Sequence, residues 1–452
     1  MPNTIPPVIL IPGITASVLH DEYELPPEAV WTTVLKRRYE RITLHPLTLD
    51  AEHRPYELQE PARVAPHGPF PLIYEDLVEE LRDGLSDHVG APVPVFPFGY
   101  DWRMPLDHTE QRLAAFVDEV IERTLLIHHY RDDPAFRHHP TVTLIGHSMG
   151  GLIIAGYIQR HTGRRVHKVV TLATPFRGSY EAVLKVATGT ADFGDDSGKA
   201  RERRMARLTP ALYHLLPSFG GLGIADDALQ TDLYHPTTWQ PNVVRSIEHQ
   251  VTGWDISGPD LFRAMLDQAR AHRDRISALQ LGDPHDAQGA DDPIPANSDP
   301  HQVRKDHWLA IAGADCETRV GLRVERDEHG APRFDLRSDE RRNNWDSDDS
   351  DDAARRNTGD GTVPLAAAIP PFLDESRLVC VTPGDFGYWE LRDRALSGLA
   401  GFHGLIPKMN MLHRLILRFL LDRDDSYGNT WGRALPGVTQ WNPPLEPLRR
   451  KT

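Results

Sequence analysis

One short segment limits the fold of this chain more than any other. A β-branched run at 141–145 leads directly into Gly146-His147-Ser148-Met149-Gly150, and an apolar helical pattern follows at 152–158. A strand, a sharp turn and a helix in immediate succession place the central serine at the apex of the turn. The tight turn requires small residues close to that apex, and the positions two residues before and after the serine, 146 and 150, are both glycine. The segment therefore predicts a strained serine at the end of a buried strand.

Short apolar runs and helical patterns alternate along the chain. Continuous apolar runs are typical of strands in a parallel sheet with helices on both faces. The alternation predicts an α/β chain with a mostly parallel sheet flanked by helices, and together with the serine turn it predicts an α/β-hydrolase fold. The runs lie at 8–11, 93–98, 142–145, 168–172, 308–312 and 378–381, and the helical patterns at 74–85, 111–128, 152–159 and 412–421.

Two stretches interrupt this alternation. Residues 186–300 hold turn-rich segments and helical patterns without a convincing central strand, which predicts a largely helical cap or lid between two parts of the core, 1–185 and 301–452. A loop and hairpin insertion is expected at 319–356. It contains the acidic run 346–352, which favours a solvated loop. A calcium loop is the alternative, but the glycine and final glutamate of an EF-hand pattern are missing.

Composition excludes several classes of protein. The net charge of −15 argues against a nucleic-acid partner, because no basic excess is available for phosphates. The two cysteines, Cys316 and Cys380, favour a reducing compartment. No apolar stretch reaches the roughly 18 residues of a membrane-spanning helix, and the N-terminus lacks a signal-peptide pattern. We expect a cytoplasmic, bacterial protein that touches membranes only peripherally, and the sequence leaves its oligomeric state open.

A serine hydroxyl becomes a nucleophile only with a general base and a carboxylate that orients the base. In α/β-hydrolases both partners follow the serine along the chain, in loops after later strands. His403 lies in a Gly-Phe-His-Gly loop and is the favoured base, whereas His413 lies within a helical pattern. His147 is adjacent to Ser148 and is expected to shape the pocket rather than to act as the base.

The residues alone leave two candidates for the orienting carboxylate. Asp360 lies in Thr-Gly-Asp-Gly-Thr-Val-Pro at 358–364, where glycines on both sides permit a sharp turn. Asp315 follows the strand expected at 308–312, a common place for this carboxylate.

Acyl transfer also needs two backbone N–H donors for the oxyanion of the tetrahedral intermediate. We predict the amide of Met149, directly after the serine, and the amide of Ile14, in the Pro-Gly turn after the first strand. Gly13 and Thr15 are alternatives to Ile14. We predict no cofactor and no metal.

Several segments together resemble one family, that of lecithin:cholesterol acyltransferase and phospholipid:diacylglycerol acyltransferase. The Tyr-Asp-Trp-Arg and Gly-Asp-Gly-Thr-Val-Pro segments are the most specific of them. The resemblance covers roughly 1–220 and 301–420. The segments, in the order seen in the family, are 8–13, 100–103, 146–151, 173–179, 208–218, 359–364 and the loop of His403.

The resemblance implies that Ser148, Asp360 and His403 form a catalytic triad, which favours Asp360 over Asp315. It implies an acyl-enzyme made from a glycerolipid or phospholipid ester, which then passes its acyl group to water or to another alcohol. The partners would be a lipid or other acyl ester and, through the lid, a transient membrane surface. Two alternatives stay open, a soluble carboxylesterase or thioesterase for small acyl groups and a non-catalytic binding protein.

Within 100–103, Asp101 and Arg103 are expected to fix a loop and Trp102 to line the acyl pocket.

Overall fold

The computed structural model describes most of the chain. Of the acidic run, only Asp351 and Asp352 lie within the described residues, where the Asp351 side chain caps a short helix. Both hypotheses for that run therefore stay predictions. The described residues are 4–23, 25–32, 36–39, 41–44, 63–189, 200–224, 229–283, 302–336, 341–342, 351–387, 390, 401–445 and 448–450.

Seventeen strands form within these residues. Six of them make the central sheet, in the order β15-β10-β8-β7-β1-β6, and every neighbouring pair is parallel. These six correspond to the six apolar runs, so the predicted parallel sheet is confirmed. The strands are β1 (Val8–Ile11), β2 (Ser17–Asp21), β3 (Glu28–Thr32), β4 (Lys36–Arg37), β5 (Val64–Pro69), β6 (Val95–Pro97), β7 (Val142–His147), β8 (Val166–Leu172), β9 (Leu222–Ile224), β10 (Trp308–Gly313), β11 (Thr318–Arg319), β12 (Leu322–Arg326), β13 (Pro332–Asp335), β14 (Arg341–Arg342), β15 (Val379–Val381), β16 (Trp431–Gly432) and β17 (Arg449–Arg450).

The α-helices cover both faces of this sheet. None of the described helices is both long enough and apolar enough to cross a membrane. They are α1 (Pro71–Val89), α2 (Leu106–Thr124), α3 (His128–Arg131), α4 (Pro134–His138), α5 (Met149–His161), α6 (Tyr180–Thr188), α7 (Ala200–Arg207), α8 (Pro210–His214), α9 (Pro241–Val251), α10 (Gly258–Ser277), α11 (Asp352–Arg356), α12 (Phe402–Leu405) and α13 (Asn410–Leu420).

Strand β1 shows why its sequence is apolar throughout. Successive side chains of a strand point to opposite faces of the sheet. Ile9 and Ile11 pack into one hydrophobic core, with α2 and α5. Val8 and Leu10 pack into the other, with α1 and α13. A strand that is buried on both faces has no position for a polar side chain, and all four residues are fully buried.

A second sheet lies between β1 and α1 in the chain. Strands β2 to β5 form it in the order β4-β3-β2-β5, and its pairs are antiparallel. Trp31 on β3 is fully buried and donates its indole N–H to the carbonyl oxygen of Thr15 over 2.8 Å. Its ring packs against Trp102, with 4.9 Å between ring centroids. This sheet, which the sequence analysis did not anticipate, therefore supports the loop that follows β1.

The two stretches that interrupt the alternation of strands and helices, 186–300 and 319–356, both contribute strands to one small sheet. Between β8 and β10 the chain forms α6 to α10 and strand β9. Strand β9 pairs in parallel with β12, and β12 pairs antiparallel with β13. None of the described strands at 186–300 or 319–356 joins the central sheet. The boundaries of the core and of the cap or lid stay predictions.

A buried ionic cluster attaches α10 to the core helices. Glu110 of α2 is fully buried and accepts hydrogen bonds from His272 (2.7 Å), Arg275 (3.2 Å) and, on α5, Arg160 (3.1 Å). Asp107 pairs with the same two arginines. The ligand atoms of Asp107, Glu110 and His272 lie within 4.8 Å of one another. Because two guanidinium groups already balance the two carboxylates, the cluster fits an ion-pair network better than a metal site.

Candidate active site

Ser148 lies at the turn between β7 and α5. Its φ of 54° and ψ of −125° are strained for a residue with a side chain. The flanking glycines make the turn possible. A Cβ at Gly146 would lie 2.7 Å from the backbone of Gly150, and a Cβ at Gly150 would overlap the carbonyl oxygen of Ile11. The amide of Ser148 donates to the carbonyl oxygen of Leu172 on β8 over 2.8 Å, which ties the turn to the sheet.

Three side chains that are distant in the chain meet at this turn. His403 Nε2 lies 2.8 Å from Ser148 Oγ, and His403 Nδ1 lies 2.7 Å from Asp360 Oδ2. An ionised carboxylate only accepts hydrogen bonds, so the proton of the neutral imidazole is on Nδ1. Nε2 is then free to accept the serine proton. The structure thus brings the three residues expected from the sequence into one hydrogen-bonded chain.

The carboxylate of Asp360 is 1% exposed and is fixed by its own loop. Its Oδ1 accepts from the amides of Thr362 (2.9 Å) and Val363 (2.7 Å), while Oδ2 faces His403. Gly361 has a φ of 92°, a left-handed conformation that glycine adopts without strain. The amide of His403 donates to the carbonyl oxygen of Asp360 over 3.1 Å, so the two loops are also joined by their backbones.

The rival residues are Asp315 and His413. Asp315 follows β10 with a φ of 63°. It contributes, after burial and Asp360, to the raised pKa of the Cys316 thiol. His413 lies on α13 and is buried, and its Nε2 donates to the carbonyl oxygen of Pro407 over 2.7 Å. Neither residue is part of the hydrogen-bonded chain at Ser148.

A second hydrogen-bonded chain lies beside the first and passes through His147. The amide of Gly13 lies 3.1 Å from the Tyr74 hydroxyl, which lies 2.8 Å from His147 Nδ1. His147 Nε2 lies 2.9 Å from the carbonyl oxygen of His403. Sequence reasoning missed Tyr74, because an aromatic residue in a helical pattern usually indicates only a buried face.

Burial determines the pKa values of the side chains in this second series of hydrogen bonds. Burial, and to a smaller extent the neighbouring His403, lower the pKa of His147 to about 3. Burial also raises the pKa of Tyr74 well above its ordinary value. His147 is therefore neutral and Tyr74 protonated across the physiological range.

The loop after β1 passes directly against Ser148. A Cβ on Gly13 would lie 2.9 Å from Ser148 Cβ, so only glycine fits there. Two residues after Gly13, the carbonyl oxygen of Thr15 accepts a hydrogen bond from the indole N–H of Trp31. Ile14 and Met149, the two residues expected to supply oxyanion donors, are both buried.

The Tyr-Asp-Trp-Arg segment has a structural role. Arg103 is fully buried and forms a two-point ion pair with Asp101, at 2.8 and 2.7 Å. It also donates to the carbonyl oxygen of Ile42 over 2.9 Å, which holds the segment after β4 against the core. Trp102 is fully buried against Trp31. Its expected place in an acyl pocket stays a prediction.

The parallel sheet and the serine turn after β7 define an α/β-hydrolase fold, as the sequence predicts. Residues 88–257 match the family described as lecithin:cholesterol acyltransferase, which confirms the resemblance over that part of the chain. A chain in the crystal structure of the Tle4–Tli4 complex shares the fold at 15% identity, with a TM-score of 0.57 over 92% of this chain and 98% of that chain. No curated protein matches the chain by sequence.

Proposed function

We propose that this chain is a serine-dependent lipid acyl hydrolase or O-acyltransferase. The observation that carries the proposal is the hydrogen-bonded chain from Asp360 through His403 to Ser148 at a strained turn. The family match at 88–257 supports a lipid ester as the acyl donor. In this proposal the core comprises 1–185 and 301–452, and 186–300 forms the cap.

The proposed reaction begins with attack of Ser148 Oγ on the ester carbonyl. His403 Nε2 takes the hydroxyl proton as the bond forms and returns it to the leaving alcohol. Asp360 keeps the Nδ1 proton in place and stabilises the imidazolium that forms. The resulting acyl-enzyme then reacts with water or with an acceptor alcohol, which His403 deprotonates in the same way.

The amides of Met149 and Ile14 are the proposed oxyanion donors. Met149 is the first residue of α5, where the helix N-terminus also favours negative charge. Among the alternatives in the loop after β1, the amide of Gly13 already donates to Tyr74. This favours Ile14, the next residue along, as the second donor. Each such donor contributes about 3–4 kcal/mol to stabilising the transition state.

The reacting side chains of the proposed site are mostly buried. Ser148 is 6% exposed, and the side chain of His403 is 12% exposed. We propose that the parts of the cap other than α10 open at a lipid surface and then close to keep water from the acyl-enzyme.

Phosphatidylcholine vesicles, with and without a long-chain alcohol, test the lipid assignment. The products are identified by mass spectrometry after incubation with the wild type and with Ser148→Ala. We expect the wild type alone to release a lysophospholipid, with either free fatty acid or a new ester of the added alcohol. Unchanged vesicles, together with hydrolysis of p-nitrophenyl acetate, would reject the lipid donor in favour of a small-ester carboxylesterase. No turnover of either substrate would favour a binding protein.

A further inference from the structure

We propose that Tyr74 and His147 are positioning residues that hold the oxyanion loop and the loop of His403 against Ser148. The inference rests on the proposed function and adds two residues to its machinery. Neither is expected to touch substrate. They act through the backbone of Gly13 at one end and the backbone of His403 at the other.

The direction of each hydrogen bond in this chain follows from one fixed acceptor. The carbonyl oxygen of His403 only accepts, so His147 Nε2 carries the single proton of the neutral ring. His147 Nδ1 must then accept, and the Tyr74 hydroxyl donates to it. With its proton committed, the hydroxyl oxygen accepts the amide proton of Gly13. Every polar group in this series of hydrogen bonds has a partner, and only one arrangement of protons satisfies all of the bonds.

Both ends of this series of hydrogen bonds lie next to groups that must be placed accurately for the reaction. Fixing the amide of Gly13 orients the loop in which the following amide, that of Ile14, is the proposed oxyanion donor. At the other end, the carbonyl of His403 is held by His147 while its amide is held by Asp360. The backbone of the proposed base is therefore fixed on both sides. A displacement of about 1 Å at such a site can lower a rate about 100-fold.

The neutral state of His147 suits this position. The rings of His147 and His403 lie 5.1 Å apart between centroids. A second imidazolium at that distance would oppose the positive charge that His403 acquires during the reaction. Burial of His147 against Tyr74 keeps its ring uncharged, so it can position the base without this cost.

Tyr74→Phe tests the inference by removing one hydroxyl and keeping the ring. We expect kcat for a p-nitrophenyl ester to fall about 10- to 100-fold with little change in KM, because the lost contact orients groups used in the transition state. The rate of Ser148 phosphonylation by a fluorophosphonate should fall by a similar factor. Tyr130→Phe is the matched control, since its buried hydroxyl donates to Ile5 away from the site, and it should change both rates by less than about twofold.

Two variants of His147 separate positioning from packing. His147→Gln keeps an N–H that can reach the carbonyl oxygen of His403, whereas His147→Phe keeps the aromatic volume without any hydrogen bond. We expect kcat to decrease in the order wild type, Gln, Phe. A packing role predicts the reverse order for the two variants, and that order would overturn the inference. These variants also serve if Tyr74→Phe does not fold, as judged by circular dichroism.

The outcomes distinguish this inference from the proposed function. A wild type that the fluorophosphonate does not label would reject the proposed function itself. A wild type that is labelled at Ser148, with Tyr74→Phe labelled at the same rate and equal in kcat, would reject only the positioning role.

Discussion

Three N–H groups hold the carboxylate of Asp360. Two come from its own loop, at Thr362 and Val363, and one is the Nδ1–H of His403. The two loop donors fix the plane of the carboxylate, so Oδ2 presents a lone pair to the imidazole in one direction. The side chain thereby selects the tautomer of His403 that leaves Nε2 facing Ser148.

Asp360→Asn should test this selection. An asparagine amide at this position can donate to Nδ1 and thereby favour the wrong tautomer, so we expect kcat for an ester substrate to fall about 10⁴-fold with the fold unchanged. Asp315→Asn is the matched control, and it should keep activity within a few-fold of the wild type. Loss of activity in Asp315→Asn, with activity retained in Asp360→Asn, would identify Asp315 as the orienting carboxylate.

The residues of the site differ in how well the sequence predicted them. Ser148 was predictable because a local pattern of strand, turn and helix constrains it. Asp360 was separated from Asp315 only through the family resemblance, since a glycine turn and the end of a strand both suit this carboxylate. Tyr74 was not predicted, because its partners at Gly13 and His147 are distant in the chain and its own helical pattern explains its burial.

Helix α10 is attached to the core through charges as well as through apolar packing. Its residues His272 and Arg275 both contact Glu110 of α2, which has no exposure to solvent. Removing one partner from a buried ionic cluster leaves the other charges desolvated and unpaired. The cluster therefore fixes the position of α10, one of the helices of the proposed cap, on the core.

Glu110→Ala is expected to lower the free energy of unfolding by about 3–5 kcal/mol. Glu119→Ala, on the same helix, removes an exposed pair with Arg123 and should cost less than about 1 kcal/mol. Urea denaturation followed by circular dichroism measures both changes. Equal effects of the two substitutions would show that the buried cluster does not anchor α10.

The elements of the central sheet were predictable, whereas the antiparallel sheet was not. Strands such as β1 and β10 are buried on both faces, so their sequences are continuously apolar. Strand β2 alternates buried and partly buried residues over only five positions and includes Ser17 and His20. Such a short alternating pattern is common in loops, and its pairing with β3 and β5 depends on tertiary contacts that no local pattern encodes.

Acid should destabilise the whole molecule through its buried histidines. Burial lowers the pKa of His147 to about 3 and that of His167 to about 4, and burial with His272 nearby lowers the pKa of His214 well below its ordinary value. These rings are neutral in the folded chain. Their stabilising contribution is fully present above pH 6.5, and it is lost as the pH falls toward the folded-state values, because the unfolded chain takes up protons that the folded chain does not.

His214→Leu isolates one of these groups. Both of its ring nitrogens are buried and lack hydrogen-bond partners among the described residues. We expect the free energy of unfolding of the wild type to fall between pH 7 and pH 5, and the slope in His214→Leu to be smaller by up to about 1.4 kcal/mol per pH unit. Denaturation curves at several pH values measure the slopes. His138→Gln, at an exposed position, should leave the slope nearly unchanged, and an equal change in both variants would contradict the account.

Labelling with a fluorophosphonate tests the central claim, that Ser148 is a nucleophile activated by His403 and Asp360. Intact-mass spectrometry should show one phosphonyl group on the wild type, located at Ser148 by peptide mapping. Ser148→Ala should take up none, and His403→Ala should react at least about 100-fold more slowly. An unlabelled wild type, or labelling that persists in Ser148→Ala, would contradict the proposed mechanism.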